Sequence, residues 1–297
     1  MAVSWLLAIP IVVFLLINLK ALPLVWHLRL FTFLIQSRTW LKPSQIHATD
    51  TATAPGKQQP TTPTPTPTIF QPLIFRTASP LLEIDYYLHK SNATFFADVD
   101  IARSHLVAAL IWPLVRHPTA ALLPNGNAVV PKGQMLAIML GGVQCSFRRE
   151  IRPYQKYEIW TRVLTWDEKW VFFISHFVRA GAVPARPEFT LQRRRERAAG
   201  KRIEQAEIGK AVLATAVSRN VLKLGRATVR PEDVWRAAGL WPGSQEGVEG
   251  VEMVRRRGLD VLKSDNPNAV HRFFEELVDR EDGVVALGEY RDLWAWC

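Results

Sequence analysis

The chain has 297 residues, 48% of them hydrophobic, and a formal charge of +10 from 37 Lys and Arg against 27 Asp and Glu. Such a length and apolar content fit one sizeable core or two small ones and exclude a disordered chain. The positive balance suits nucleic acid, an anionic membrane face or an anionic substrate without choosing among them, and two cysteines, Cys145 and Cys297, allow neither a disulfide framework nor zinc-ligand spacing.

Residues 2–19 carry no charge, and about 18 helical residues at about 1.5 Å each reach about 27 Å, enough to span a thin bilayer. No basic residue precedes this run and no small-residue cleavage site follows it, so an anchor is expected rather than a signal peptide. Lys20, Arg29, Arg38 and Lys42 all follow the run, which places the C-terminal bulk in the cytoplasm. Residues 21–35 are apolar but interrupted by His27 and Arg29. They read as an interfacial segment, with a second span open, so residues 1–46 form the anchor and juxtamembrane unit. The Thr/Pro tract at 47–68 has little to bury and reads as a spacer.

A domain is expected over 69–240. A strand is predicted at 70–79 and a helix over 92–112, where Phe95, Val99, Ala102, Leu106 and Leu110 form one apolar stripe. A Pro/Gly/Asn loop at 117–127 leads to strands at 135–151, 157–166 and 170–180, and "WDEKW" is the turn joining the last two. In the middle strand Glu158, Trp160, Arg162 and Leu164 share one face, mixing charge with large apolar groups. A fourth strand is predicted at 210–224. The Arg-rich stretch 184–205 reads as an exposed or lipid-facing insertion rather than a nucleic-acid site. Residues 241–297 form a C-terminal extension with helices at 246–264 and 266–279, Pro267 lying near the start of the second. One helix followed by several antiparallel strands implies an α+β domain rather than a parallel βαβ fold.

"DYYLHKSN" (85–92), together with that element order, resembles the hotdog-fold acyl-CoA thioesterases of the 4-hydroxybenzoyl-CoA thioesterase-like type. The nearest resemblance is to membrane-anchored, thioesterase-superfamily-member-six-like proteins of fungi. Asp85 stands at the acid position of their motif, His89 four residues on, Ser91 and Asn92 at an Asn-Asn pair, and Phe95 at the following aromatic. Residues 141–177, with "RPYQKYE" inside them, resemble the subgroup's strand block. The family often has Asn-Gly just before the His; here Tyr87 and Leu88 stand there, which removes the freedom of a glycine to take positive φ.

The resemblance implies a hotdog fold, in which an antiparallel sheet wraps a long central helix, with an N-terminal membrane helix and extra C-terminal helices. It also implies a homodimer hydrolysing acyl-CoA thioesters without metal or cofactor. Asp85 is then the carboxylate that attacks the thioester or activates water. Backbone N–H groups around Asn92 polarise the carbonyl, as free first-turn donors and the helix dipole favour negative charge. Ser91 and His89 stand with the Asn92 backbone on the substrate and oxyanion side of the site, where His89 orders the loop. Ser91 and Asn92 are also natural helix caps. Asp98 and Asp100 read as dimer-interface or solvated-face residues, and Cys145 as a small core residue. The partners expected are an acyl-CoA and the lipid bilayer, with no nucleic acid, at the cytoplasmic face of the endoplasmic reticulum. The alternative is an inactive hotdog protein that binds acyl groups or lipids or acts as a membrane scaffold.

Overall fold

The computed structural model describes residues 2–40, 66–116, 118, 134–187, 205–264, 268–278 and 284–292. Most of the Thr/Pro spacer, the 119–133 stretch and residues 188–204 of the Arg-rich insertion lie outside the described residues. The chain begins with α1 (Ala2–Ile17), a 3-10 turn (Leu19–Ala21) and α2 (Val25–Trp40). After the spacer come β1 (Leu73–Ala78), a 3-10 turn (Leu81–Glu83), α3 (Asn92–Arg116), β2 (Leu136–Phe147), β3 (Lys156–Trp166) and β4 (Trp170–Arg179). Then follow β5 (Ala185–Pro187), α4 (Gln205–Ala211), β6 (Val212–Leu224), β7 (Ala227–Val229) and α5 (Pro231–Ala237). The C-terminal part contributes α6 (Gln245–Lys263), α7 (Ala269–Val278), β8 (Val284–Ala286) and β9 (Gly288–Arg291).

The main sheet runs β2-β6-β4-β3-β1-β9, with β7 paired to β6. All its ladders are antiparallel except β1 with β9. Register shifts between Leu140 and Gly142, Val163 and Thr165, and Phe177 and Val178 add local twist. The curved sheet wraps α3, which packs on β1, β2, β3 and β4. This is the hotdog arrangement that the resemblance implies.

Every residue of the expected stripe, Phe95, Val99, Ala102, Leu106 and Leu110, is buried. The burial goes further around α3 than one stripe, because α2 packs on its other side. Asp98, Ile101 and His105 are buried there too. The mixed face of β3 is likewise covered. Glu158, Trp160, Arg162 and Leu164 are all buried, beneath α6 and α7. Arg162 Nη2 donates to the Phe273 carbonyl at 3.1 Å, and its guanidinium lies 4.3 Å from the Phe273 ring centroid. Trp160 meets Phe274 edge-on at 5.6 Å. The C-terminal extension is therefore the second layer of the fold, and β9 adds a strand to the sheet beside β1.

The N-terminal segment departs from expectation. Among the described residues no helix is long and apolar enough to cross a membrane; the expected span at 2–19 is helical over Ala2–Ile17, 16 residues. Residues 8–17 are exposed throughout, and Asn18 then turns abruptly into the protein interior. Lys20 and Arg29, counted from sequence as juxtamembrane charges, are buried inside the fold. Residues 18–29 thus pack on the domain rather than lying free beside a membrane.

Candidate active site

The acid turn closes on itself just before α3. An isolated bridge pairs Ile84 with Lys90. Inside it Asp85 N–H donates to the His89 carbonyl at 2.9 Å, and Leu88 N–H to the Asp85 carbonyl at 3.0 Å. The Asp85 carboxylate accepts from Tyr87 N–H at 2.9 Å through Oδ1, an Asx-turn, and its Oδ2 lies 3.4 Å from His89 Nδ1. Leu88 has φ +63. The backbone thus keeps the left-handed geometry that glycine usually serves at this position, and a β-carbon there costs about 1–2 kcal/mol. Asp85 and His89 are half-buried, whereas Tyr86, Tyr87 and Leu88 are exposed.

The turn delivers the chain into α3. Ser91 N–H donates to the Glu83 carbonyl at 2.8 Å, and the Ser91 carbonyl accepts from Thr94 N–H at 3.0 Å and Thr94 Oγ1 at 2.7 Å. Ser91 therefore starts the helix through its carbonyl. Asn92 and Ala93 are exposed, and the amides of a first turn have no acceptor within their own helix. Asn92 lies on a cleft of about 360 Å³ whose lining also includes His89, Lys90, Phe95, Phe147, Arg148, Arg149, Glu150 and Ile151. His89 and Asn92 meet on its wall; Asp85 stands behind His89, and Ser91 lies off it.

Phe147, Arg148 and Arg149 were not picked out from sequence as site residues. Two consecutive arginines directly after a long strand were the available signal. Their backbone amides both donate to the Leu213 carbonyl at 2.9 Å, which fixes this stretch of main chain beside the cleft. The His89 imidazole, the helix start at Asn92 and the two arginines line one cleft, with the Glu150 carboxylate on the same wall and Asp85 behind His89; such a set can receive an ester and stabilise negative charge developing on its carbonyl.

Behind the turn lies a buried ionic network. Lys20 Nζ donates to the Ala78 carbonyl at 2.9 Å, Tyr157 Oη at 3.0 Å, and Glu83 Oε2 and Asp98 Oδ2 at 3.1 Å each. Lys90, next to His89, bonds the same two carboxylates. Arg29 bridges Asp98 Oδ1 at 2.9 Å and Asp292 Oδ2 at 2.6 Å. Asp98, expected on a solvated face or dimer interface, is instead the fully buried hub of this network. Burial pushes its carboxyl up, but Lys20, Lys90, Arg29 and the Tyr157 hydroxyl outweigh that and hold it well below the usual range. Burial and the neighbouring Asp98 push the Tyr157 hydroxyl well above its usual value. Asp100, two residues beyond this hub, pairs with Arg103.

Cys145 is half-buried against the main core, and burial pushes its thiol up to about 12. It is no thiolate nucleophile at neutral pH.

Residues 80–207, which contain the acid turn, α3 and β2 to β5, match the thioesterase-like superfamily. A probable thioesterase of Emericella nidulans, atnL, is 34% identical over 290 residues, covering 94% of this chain and 83% of that protein. The thioesterase poxG of Penicillium oxalicum is 36% identical over 247 residues, covering 82% of this chain and 74% of that protein. Among solved structures, a 1,4-dihydroxy-2-naphthoyl-CoA thioesterase from Synechocystis shares 9% identity at a TM-score of 0.36, covering 56% of this chain and 94% of that one. On the residues matched and the near full-length identity to the Emericella nidulans protein, this chain belongs to the thioesterase-like superfamily.

Proposed function

We propose that this protein is a membrane-bound thioesterase that hydrolyses acyl-CoA thioesters in the cleft at the start of α3. The observation that carries the reading is the closed turn that holds the Asp85 carboxylate against His89, beside the exposed first-turn amides of α3. With the thioester carbonyl polarised by the amides around Asn92, Asp85 takes a proton from a water whose oxygen bonds to the carbonyl carbon; the C–S bond then breaks and the thiolate takes that proton from Asp85. In direct attack Asp85 bonds to the same carbon and the thiolate leaves, taking its proton from solvent, and water then hydrolyses the acyl-aspartyl anhydride to free acid and Asp85. Arg148 and Arg149 suit the phosphates of a CoA carrier. An apolar cleft along the same helix, lined by Val107, Ile111, Val115, Leu136, Ile138 and Leu222, suits an acyl chain. Membership of a superfamily whose relatives are named thioesterases supports the reaction class.

Membrane attachment in this reading rests on α1, whose described side chains are all apolar and exposed. At about 1.5 Å per residue its 16 residues extend about 24 Å, shorter than the hydrocarbon core, so the foot of the helix is drawn down to the lipid surface. The catalytic domain faces the cytoplasm at the endoplasmic reticulum, which protease protection of a C-terminal tag in microsomes tests. We further place a second copy of the chain against β2, the outermost strand.

The test of the chemistry is release of free CoA from acyl-CoAs of graded chain length by the full chain. Asp85→Asn is expected to lower kcat at least about 100-fold while leaving the fold intact. One observation favours a second reading, an acyl-binding protein without turnover: both Asp85 oxygens are already engaged within their own turn. Equal, slow release by wild type and Asp85→Asn would assign the protein to that reading.

A further inference from the structure

We propose that the acid turn and the 3-10 turn before it form a phospholipid-facing surface at the foot of α1, so that the site opens beside the bilayer holding its acyl substrate. The proposal rests on membrane attachment through α1.

The foot of α1 is fixed to this part of the domain by side-chain bonds. Asn18 Nδ2 donates to the Phe14 carbonyl at 2.8 Å, closing α1, and its Oδ1 accepts from Leu82 N–H at 2.9 Å. Two residues on, Lys20 bonds the Ala78 carbonyl and Glu83. Residues 78–83 therefore sit wherever the foot of α1 sits. A helix apolar and exposed from residue 8 to residue 17, followed at once by a buried Asn and a buried Lys, puts that foot at the boundary between lipid and water.

The surface displayed there fits a lipid headgroup region. Leu81 and Leu82 are 43% and 49% exposed, and the acid turn just beyond them shows Tyr86, Tyr87 and Leu88 at 83%, 67% and 74%. Leu24, in the chain just beyond the foot, is 73% exposed. The charges of the same stretch point inward. Glu83 is consumed by Lys20 and Lys90 inside the domain, Lys90 is itself buried, and Asp85 is turned onto Tyr87 N–H and His89. What remains outward is Leu and Tyr, side chains that settle at membrane interfaces. Leu88 stands at the tip of the turn, and burying its exposed apolar side chain among acyl chains is favourable.

Full-length protein with Cys145 and Cys297 replaced tests this in phosphatidylcholine vesicles. A nitrobenzoxadiazole probe is attached in turn to Leu82→Cys, Tyr87→Cys, Val12→Cys and Met253→Cys, the last an exposed site on α6. Phosphatidylcholine brominated near the headgroup end of its acyl chains is the quencher. Loss of fluorescence at 12, 82 and 87, with none at 253, is the expected result. Quenching at 12 but not at 82 and 87 would overturn the lipid-facing surface and leave the anchor standing. Quenching at none of them would overturn both. Dry probes at 82 and 87, joined to disulfide crosslinks between copies through the same unlabelled cysteines, would give the surface to a second copy instead.

Discussion

Lys20, Arg29 and Lys90 face Glu83, Asp98 and Asp292 inside the domain, three cations against three carboxylates. Burial lowers the Lys20 pKa, and the attraction of Asp98 and Glu83 only partly offsets it, so the ammonium is charged because its carboxylates are there. Removing it strands negative charge in the interior. Lys20→Met is expected to destabilise the protein by about 3–5 kcal/mol in chemical denaturation, and Lys20→Met/Glu83→Gln to recover part of that loss by restoring the charge balance. A double variant no better than the single one would rule out the balance as the cause. At this scale the acid turn was legible, because Asp85, His89 and Asn92 lie within eight residues. The hub was not. Asp98 finds Lys20 78 residues away, Arg29 69 away and Tyr157 59 away, and no local pattern encodes such pairings.

Elements with strong periodicity or turn chemistry could be read well. β3 and β4 were expected within a residue of where they lie, because "WDEKW" closes their hairpin: Asp167 Oδ1 accepts from Lys169 N–H at 2.8 Å and Trp170 N–H at 2.6 Å. In α2 the sequence shows Arg29 only as an interruption of an apolar run, and only the fold supplies the carboxylates that bury it. β9 has four residues, too few to show a period. The helix at 245–263 could be found, but not its task, since its seat on β3 depends on a close approach. A β-carbon on Gly258 would stand 2.3 Å from the Leu164 carbonyl oxygen and 2.8 Å from Thr165 Cβ. That contact is too short for any side chain, so α6 must shift off the sheet if one is added. Gly258→Ala is expected to cost about 1–3 kcal/mol despite alanine's better helix propensity, read as a lower urea midpoint. An alanine variant as stable as wild type would show that α6 does not need this close seat.

Across the whole molecule, buried histidines make the fold acid-sensitive. His105 sits between the rings of Phe75 and Tyr290 at 5.3 and 5.1 Å, its Nδ1 2.8 Å from the Ile101 carbonyl, and burial lowers it to about 4. Burial and Arg162 lower His176, under α7, well below its usual value. Between pH 6.5 and about 4 the unfolded chain therefore binds protons that the folded chain refuses, and stability falls as pH falls through that window. His105 alone contributes up to about 3 kcal/mol of the loss. Asp98 acts in the same direction only below its unfolded value of 3.8. Thermal midpoints taken from pH 7.5 to 4.5 are expected to drop steadily, and a flat profile would place a proton on these histidines in the native state.

The sheet itself has one long open side. Among the described residues β2 lies outermost and pairs with β6 alone across its 12 residues, leaving one row of its backbone donors and acceptors without a strand partner among them, a ready template for another strand. Its large apolar side chains are unusually bare: Met139 is 52% exposed, Leu140 46% and Phe147 41%. Phe147 also lines the cleft at the start of α3, so a second copy docked on this edge would complete a wall of the site as well as cover apolar surface. Leu140 lies on the same face of β2 as Leu136 and Ile138 but is 46% exposed, and replacing it by Lys places a charge on the edge, the device by which natural sheets prevent edge pairing. If the second copy proposed on β2 docks there, Leu140→Lys turns that dimer into a monomer in sedimentation equilibrium in matched detergent. Because Phe147 then loses its cover, CoA release is expected to fall with the dimer fraction as the protein is diluted. A Leu140→Lys protein that stays dimeric would move the interface away from β2.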